Sequence, residues 1–91
     1  MEIIEFYNKL VDVEVDLYGE LVYHPKSDVI EWYYDGLSNP NIYNDSQLYE
    51  IYDMDLEIIK DCLVKYNMSN YTITDPIYND NTITFDINFE I

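Results

Sequence analysis

The chain has 91 residues, 48% of them hydrophobic and 16% aromatic, and its formal charge is −15, from 19 Asp and Glu against four lysines and no arginine. The apolar content excludes a disordered acidic tail. The lack of cations argues against direct nucleic-acid binding, because affinity for phosphate comes from Lys and Arg that release counterions. The length fits one domain, 1–91, close to the lower limit for folding around a single core.

The opening Met1-Glu2-Ile3-Ile4-Glu5 lacks the basic-then-apolar pattern of a secretory signal, and no apolar run approaches the roughly 20 residues of a membrane span. Cys62 is the single cysteine, so no internal disulfide forms, which fits a reducing cytoplasm. Abundant Asn, Ile and Tyr, with no alanine, suggest an A+T-rich coding genome.

Glu2 to Lys9 suits a short amphipathic helix or an irregular cap. From Leu10 to Tyr18 apolar and acidic residues alternate, the pattern of a strand with Val11, Val13, Val15 and Leu17 inward. Asp12, Glu14 and Asp16 would then form an outward file at roughly 6.6–6.8 Å intervals, twice the strand rise. The alternation shifts at Gly19-Glu20, as at a bulge or tight turn. Leu21-Val22-Tyr23 continues extended, His24 to Asp28 is a turn, and Val29 to Tyr34 is a further strand. Residues 10–35 thus read as one long hairpin with a bulge near Gly19, or as a three-stranded meander.

Leu37 to Asp45 is loop. Asp45 or Ser46 can cap a helix whose stripe is Leu48, Ile51, Tyr52, Ile59, Cys62, Leu63 and Tyr66. Asp53-Met54-Asp55 interrupts that stripe, so the helix either runs from 46 to 66 or breaks, with Asp55 capping a second one. Asn67 to Asn70 closes it. Tyr71 to Thr74 and residues 82–91 form a C-terminal hairpin joined by a connection around Asp75-Pro76 and Asn79-Asp80-Asn81, with Ile83, Phe85, Ile87, Phe89 and Ile91 inward and Asp86, Asn88 and Glu90 outward. The expected fold is α+β, a small antiparallel sheet covered on one face by one central, possibly broken, helix.

Catalytic chemistry is not indicated. His24 sits in a turn, and Cys62 lies on the apolar helix stripe. There is no phosphate loop or zinc spacing. Calcium loops starting at Asp53 or Asn79 would put Ile58 or Thr84 where glycine is required. The reading is therefore a nonenzymatic protein without metal or cofactor. The surplus of carboxylates is too large for a solvated face and points to a cationic partner. Tyrosines, eleven in all, and Trp32 offer apolar anchors for a protein interface. The candidate contact residues are Asp12, Glu14, Asp16, Glu31, Trp32, Tyr34, Glu50, Asp53, Asp86 and Glu90.

A small, acidic, Tyr-rich and Arg-free chain with carboxylate files at Asp12, Glu14, Asp16 and at Asp86, Glu90 resembles the phage-encoded DNA-mimic inhibitors, among them anti-CRISPR and anti-restriction proteins. The resemblance rests on composition. It implies a monomer or dimer that occupies the basic nucleic-acid cleft of a CRISPR effector or other defence nuclease, in the cytoplasm of an infected or mobile-element-bearing bacterial host. An immunity protein against a basic nuclease toxin obeys the same electrostatics, and a phage assembly protein joined through sheet edges is a third reading.

Overall fold

A computed structural model describes residues 1–13, 16–36 and 45–90. The first helix, α1 (Ile3–Val13), is longer than the sequence pattern suggests. Ile3, Phe6, Tyr7, Leu10 and Val13 recur at helical spacing, and Phe6 and Leu10 are fully buried. Leu10 to Val13 therefore continue a helical stripe instead of starting a strand. The apolar–acidic alternation is compatible with both periods over so few residues, and burial of the Phe6–Leu10 face decides between them. Val11 is exposed, not inward, and Asp12 stands on a helix surface. The expected strand over 10–18 is thus corrected to a helix as far as Val13; Glu14 and Val15 lie outside the described residues.

A hairpin follows, shorter than the one expected over 10–35. It joins β1 (Glu20–His24) to β2 (Val29–Asp35), with Glu20 opposite Tyr33 and His24 opposite Val29. The His24–Asp28 turn is as expected: Ser27 N–H donates to His24 O at 3.3 Å and Asp28 takes a left-handed φ of 52°. Gly19 does not form a bulge; it immediately precedes β1. A Cβ there would lie 2.3 Å from Trp32 Nε1 and 2.6 Å from the Tyr33 carbonyl, so only glycine fits.

The second helix, α2 (Asp45–Lys65), is continuous through Asp53-Met54-Asp55. It ends in a Schellman motif. Met68 N–H donates to Leu63 O at 2.9 Å, Asn67 N–H to Val64 O at 3.1 Å, and Asn67 holds φ 56°.

The remaining strands are β3 (Tyr71–Ile73), β4 (Ile77–Asn79) and β5 (Thr82–Phe89). All pairings are antiparallel, in the order β1-β2-β5-β3, with β4 also on β5. Strands β3 and β4 share one edge of β5, since Ile73 faces Ile87 and Ile77 faces Thr84. Three residues on one side answer two on the other, which makes Thr74–Pro76 a bulge. There the Thr74 hydroxyl accepts from Asp86 N–H at 2.8 Å, while Thr74 N–H donates to Asp86 O at 2.9 Å. Pro76 sits where no ladder donor is needed. The β4–β5 turn has two central residues, Asp80 and Asn81, both left-handed at φ 47° and 65°, as a type I′ turn requires.

Both helices lie on one face of the sheet. Phe6 meets Phe89 and Tyr7 stacks on Tyr23 from α1, while Tyr52 of α2 meets Phe85 edge-on at 5.5 Å. Trp32 stacks on Phe85 at 5.1 Å in the centre. The architecture is an α+β two-layer domain, as expected in class, but among the described residues it has two helices instead of one. Among the described residues no helix is long and apolar enough to cross a membrane.

Asp55, on the buried side of α2, is completely inaccessible. Its Oδ2 accepts from Trp32 Nε1 and Gly19 N–H, both at 2.8 Å, and Oδ1 accepts from Tyr18 N–H at 3.1 Å. Truncating it strands two buried donors, each worth about 1–3 kcal/mol when unmet. We expect Asp55→Ala to lower unfolding free energy by about 2–5 kcal/mol, and Asp55→Asn by less because one acceptor oxygen remains. Urea unfolding followed by Trp32 fluorescence checks this; an unchanged midpoint for Asp55→Ala would refute the bracing role.

Candidate acidic interface

Carboxylates stand on two opposite faces of the domain. On α2, Glu50, Asp53, Glu57 and Asp61 are all exposed and follow spacings of three, four and four residues, so they form one file along the solvent side. Its foundation is rigid, because Leu48, Ile59 and Leu63 on the opposite side of the helix are fully buried. Tyr49 and Met54 flank the file with 51% and 46% exposure, placing apolar surface beside the charge. The helix layer also carries Lys9, Lys60 and Lys65, all exposed.

The other face is the side of the sheet that neither helix covers. Strand alternation puts Glu20, Val22 and His24 of β1 there, with Val29, Glu31, Tyr33 and Asp35 of β2 and Thr82, Thr84, Asp86 and Asn88 of β5. No strand residue on this face is a lysine. Glu31 and Asp86 are directly opposite across β2 and β5, a like-charge pair that opposes folding. Burial pushes the Asp86 carboxyl above the ordinary aspartate range, Glu31 pushes it further, and His24 opposes the shift. His24 Nε2 lies 3.1 Å from Glu31 Oε1. The Tyr33 hydroxyl donates to Glu20 Oε2, and that bond is the main cause of its raised pKa.

The candidate contact residues therefore separate. Glu50 and Asp53 share the α2 file, while Glu31 and Asp86 share the open sheet face. Asp12 lies on α1, exposed Asp16 follows that helix, exposed Glu90 lies just beyond β5, and Glu14 is outside the described residues. Trp32 and Tyr34 are corrected outright. They point to the helix side of β2, at 0% and 9% exposure, and belong to the core. The helix carboxylates Glu57 and Asp61, legible in the sequence as part of the acidic display, join Glu50 and Asp53 in the file, whereas Asp55, which the sequence offers for the same display, is buried in the core. Glu20, Tyr33 and Asp35 follow from alternation with Glu31.

Cys62 is buried, and burial raises its thiol pKa while Lys65 lowers it. An open groove of about 410 Å³ lies between the start of α1 and the α2–β3 connection, lined in part by Met1, Met68, Asn70 and Phe89. Among the described residues no three His, Cys, Asp or Glu side chains are grouped to hold a metal ion. No protein-family model, curated protein or solved structure matches the chain.

Because Asp86 holds its proton more tightly in the folded state, its contribution favours folding below its unfolded pKa and is lost as pH rises through the folded value. Asp86→Asn should therefore raise the thermal midpoint at pH 7 and leave it nearly unchanged at about pH 3, where the aspartate is already neutral. Paired melting curves test this; an equal gain at both pH values would exclude the electrostatic cause.

Proposed function

We propose that the protein is a noncatalytic inhibitor that imitates nucleic-acid charge and occupies the basic DNA- or RNA-binding cleft of a defence nuclease, a CRISPR effector being the leading class of target. The observation that carries this reading is the α2 file. The eleven residue steps from Glu50 to Asp61 span about 16.5 Å at the α-helical rise. The four carboxylates are spaced roughly 5.5 Å apart on average, with exposed Lys60 between the last two, against one phosphate per 3.4 Å along a single strand of duplex DNA. The file is thus about 60% as dense as a phosphate strand. It projects from a convex helix that can enter a concave channel. Tyr49, Met54 and Val64 replace Trp32 and Tyr34 as the apolar anchors, since they are the large apolar side chains of α2 exposed beside the charges.

Steering by the whole field, −15 on 91 residues, speeds encounter with a cationic cleft and disfavours acidic competitors. A guide-loaded CRISPR effector cutting its target duplex is the first assay. Inhibition should be competitive with duplex and weaken on the order of tenfold or more from about 50 to about 200 mM salt. Neutralising the file with Glu50→Gln, Asp53→Asn, Glu57→Gln and Asp61→Asn together should abolish inhibition while leaving the helix folded. Retained inhibition by that variant, or inhibition indifferent to salt, would overturn the mimicry. No inhibition of CRISPR effectors, restriction endonucleases or uracil-DNA glycosylase would remove the reading altogether.

A further inference from the structure

The open sheet face lies opposite the α2 file, so a partner gripping α2 leaves it free. Its composition is mixed. Val22 is 36% exposed, Ile77 of β4 is 63% exposed, and both lie with Val29 and Tyr33 among Glu20, Glu31, Asp35 and Asp86. Bare counterions would satisfy the carboxylates but not the apolar surface. Arginine and lysine side chains satisfy both, because their methylene stems cover apolar surface while the charged heads reach acids. Arginine fits better, since its planar guanidinium also stacks on a ring such as that of Tyr33.

Size narrows the occupant. Four strand widths by seven residues of β2 give a footprint of roughly 450 Å², from strand spacing and rise. That is about half of the roughly 800 Å² each partner contributes to a stable interface. A peptide-sized segment fits such a face better than a whole domain surface. The Glu31–Asp86 pair, held opposite one another at a cost in folding, is the part of the face that gains most from an arriving cation.

We infer that the open face of the sheet is a second docking surface, which takes an arginine-rich segment of a basic protein partner across Glu31 and Asp86. The inference rests on the proposed function in that the partner is cationic, but it concerns the opposite side of the domain from α2. Two acidic faces back to back then fit a cleft with basic walls on both sides better than a flat basic patch.

Titration of isotope-labelled protein with a nona-arginine peptide, followed by amide shifts, tests the assignment. Saturable shifts at Val22, Glu31, Tyr33 and Asp86 are expected. The pair Glu31→Gln and Asp86→Asn should weaken peptide binding roughly five- to tenfold, in line with the strength of partly exposed ion pairs. An equal change of net charge on α1, Glu2→Gln with Glu5→Gln, should change it less than about twofold. Shifts confined to α2 would overturn the inference while leaving the proposed function standing. Equal affinity for spermine at the same amides would reduce the face to a counterion sink and overturn it as well.

Discussion

The Asp55 carboxylate joins three parts of the molecule that the chain separates widely. It lies on α2, yet it accepts from the backbone amides of Tyr18 and Gly19 before β1 and from the indole of Trp32 in β2. A carboxylate taken out of water needs its lone pairs met, and here neutral donors meet them instead of a cation. Gly19 must be glycine because the Trp32 indole, aimed at Asp55, fills the space of a side chain. The helix layer, the hairpin and the central tryptophan therefore have one relative position. The α2 file and the open sheet face inherit their opposite orientations from it.

Backbone economy follows a related rule. The chain has only two glycines, and both are used for close approach. At Gly36 a Cβ would come within 2.7 Å of the Asn81 carbonyl and 2.9 Å of Leu48. Left-handed positions fall instead to Asp28, Asn67, Asn70, Asp80 and Asn81, whose short polar side chains tolerate that region. Two of these aspartates add to the charge, so part of the acidity serves the turns.

Asp55 serves the core, and Glu20 and Glu31 have partners in Tyr33 and His24, but these local uses account for only part of the remaining charge. Fifteen net negative charges on a small domain repel one another. Three of the four lysines sit on the helix layer, and the fourth, Lys26, is in the β1–β2 turn. The open sheet face, which includes an opposed like-charge pair, has none on its strands. Such a distribution sacrifices stability at two surfaces that the core does not need. A cationic partner would recover that loss on binding, which is the physical support for reading both surfaces as contacts.

Much of the local structure was legible in the sequence. Period-two patterning placed Ile83, Phe85, Ile87 and Phe89 inward, helical spacing set α2, and turn chemistry located Asp28, Asn67 and the Asp80-Asn81 turn, since these depend on near neighbours alone. The surplus of carboxylates and the lack of arginine likewise follow from composition, whatever the fold. The segment from Leu10 misled because its alternation satisfies strand and helix periods alike, and only the buried seats of Phe6 and Leu10 chose the helix. A strand pattern defines two faces without saying which one the helices will cover, so the sequence alone does not distinguish Trp32 and Tyr34 as core residues from surface anchors. Asp55 looked like a break in α2 for the same reason: its donors come from residues 36, 37 and 23 positions away. Which carboxylates stand together, and which one is buried, are properties of contacts distant in sequence, and tertiary packing alone decided them.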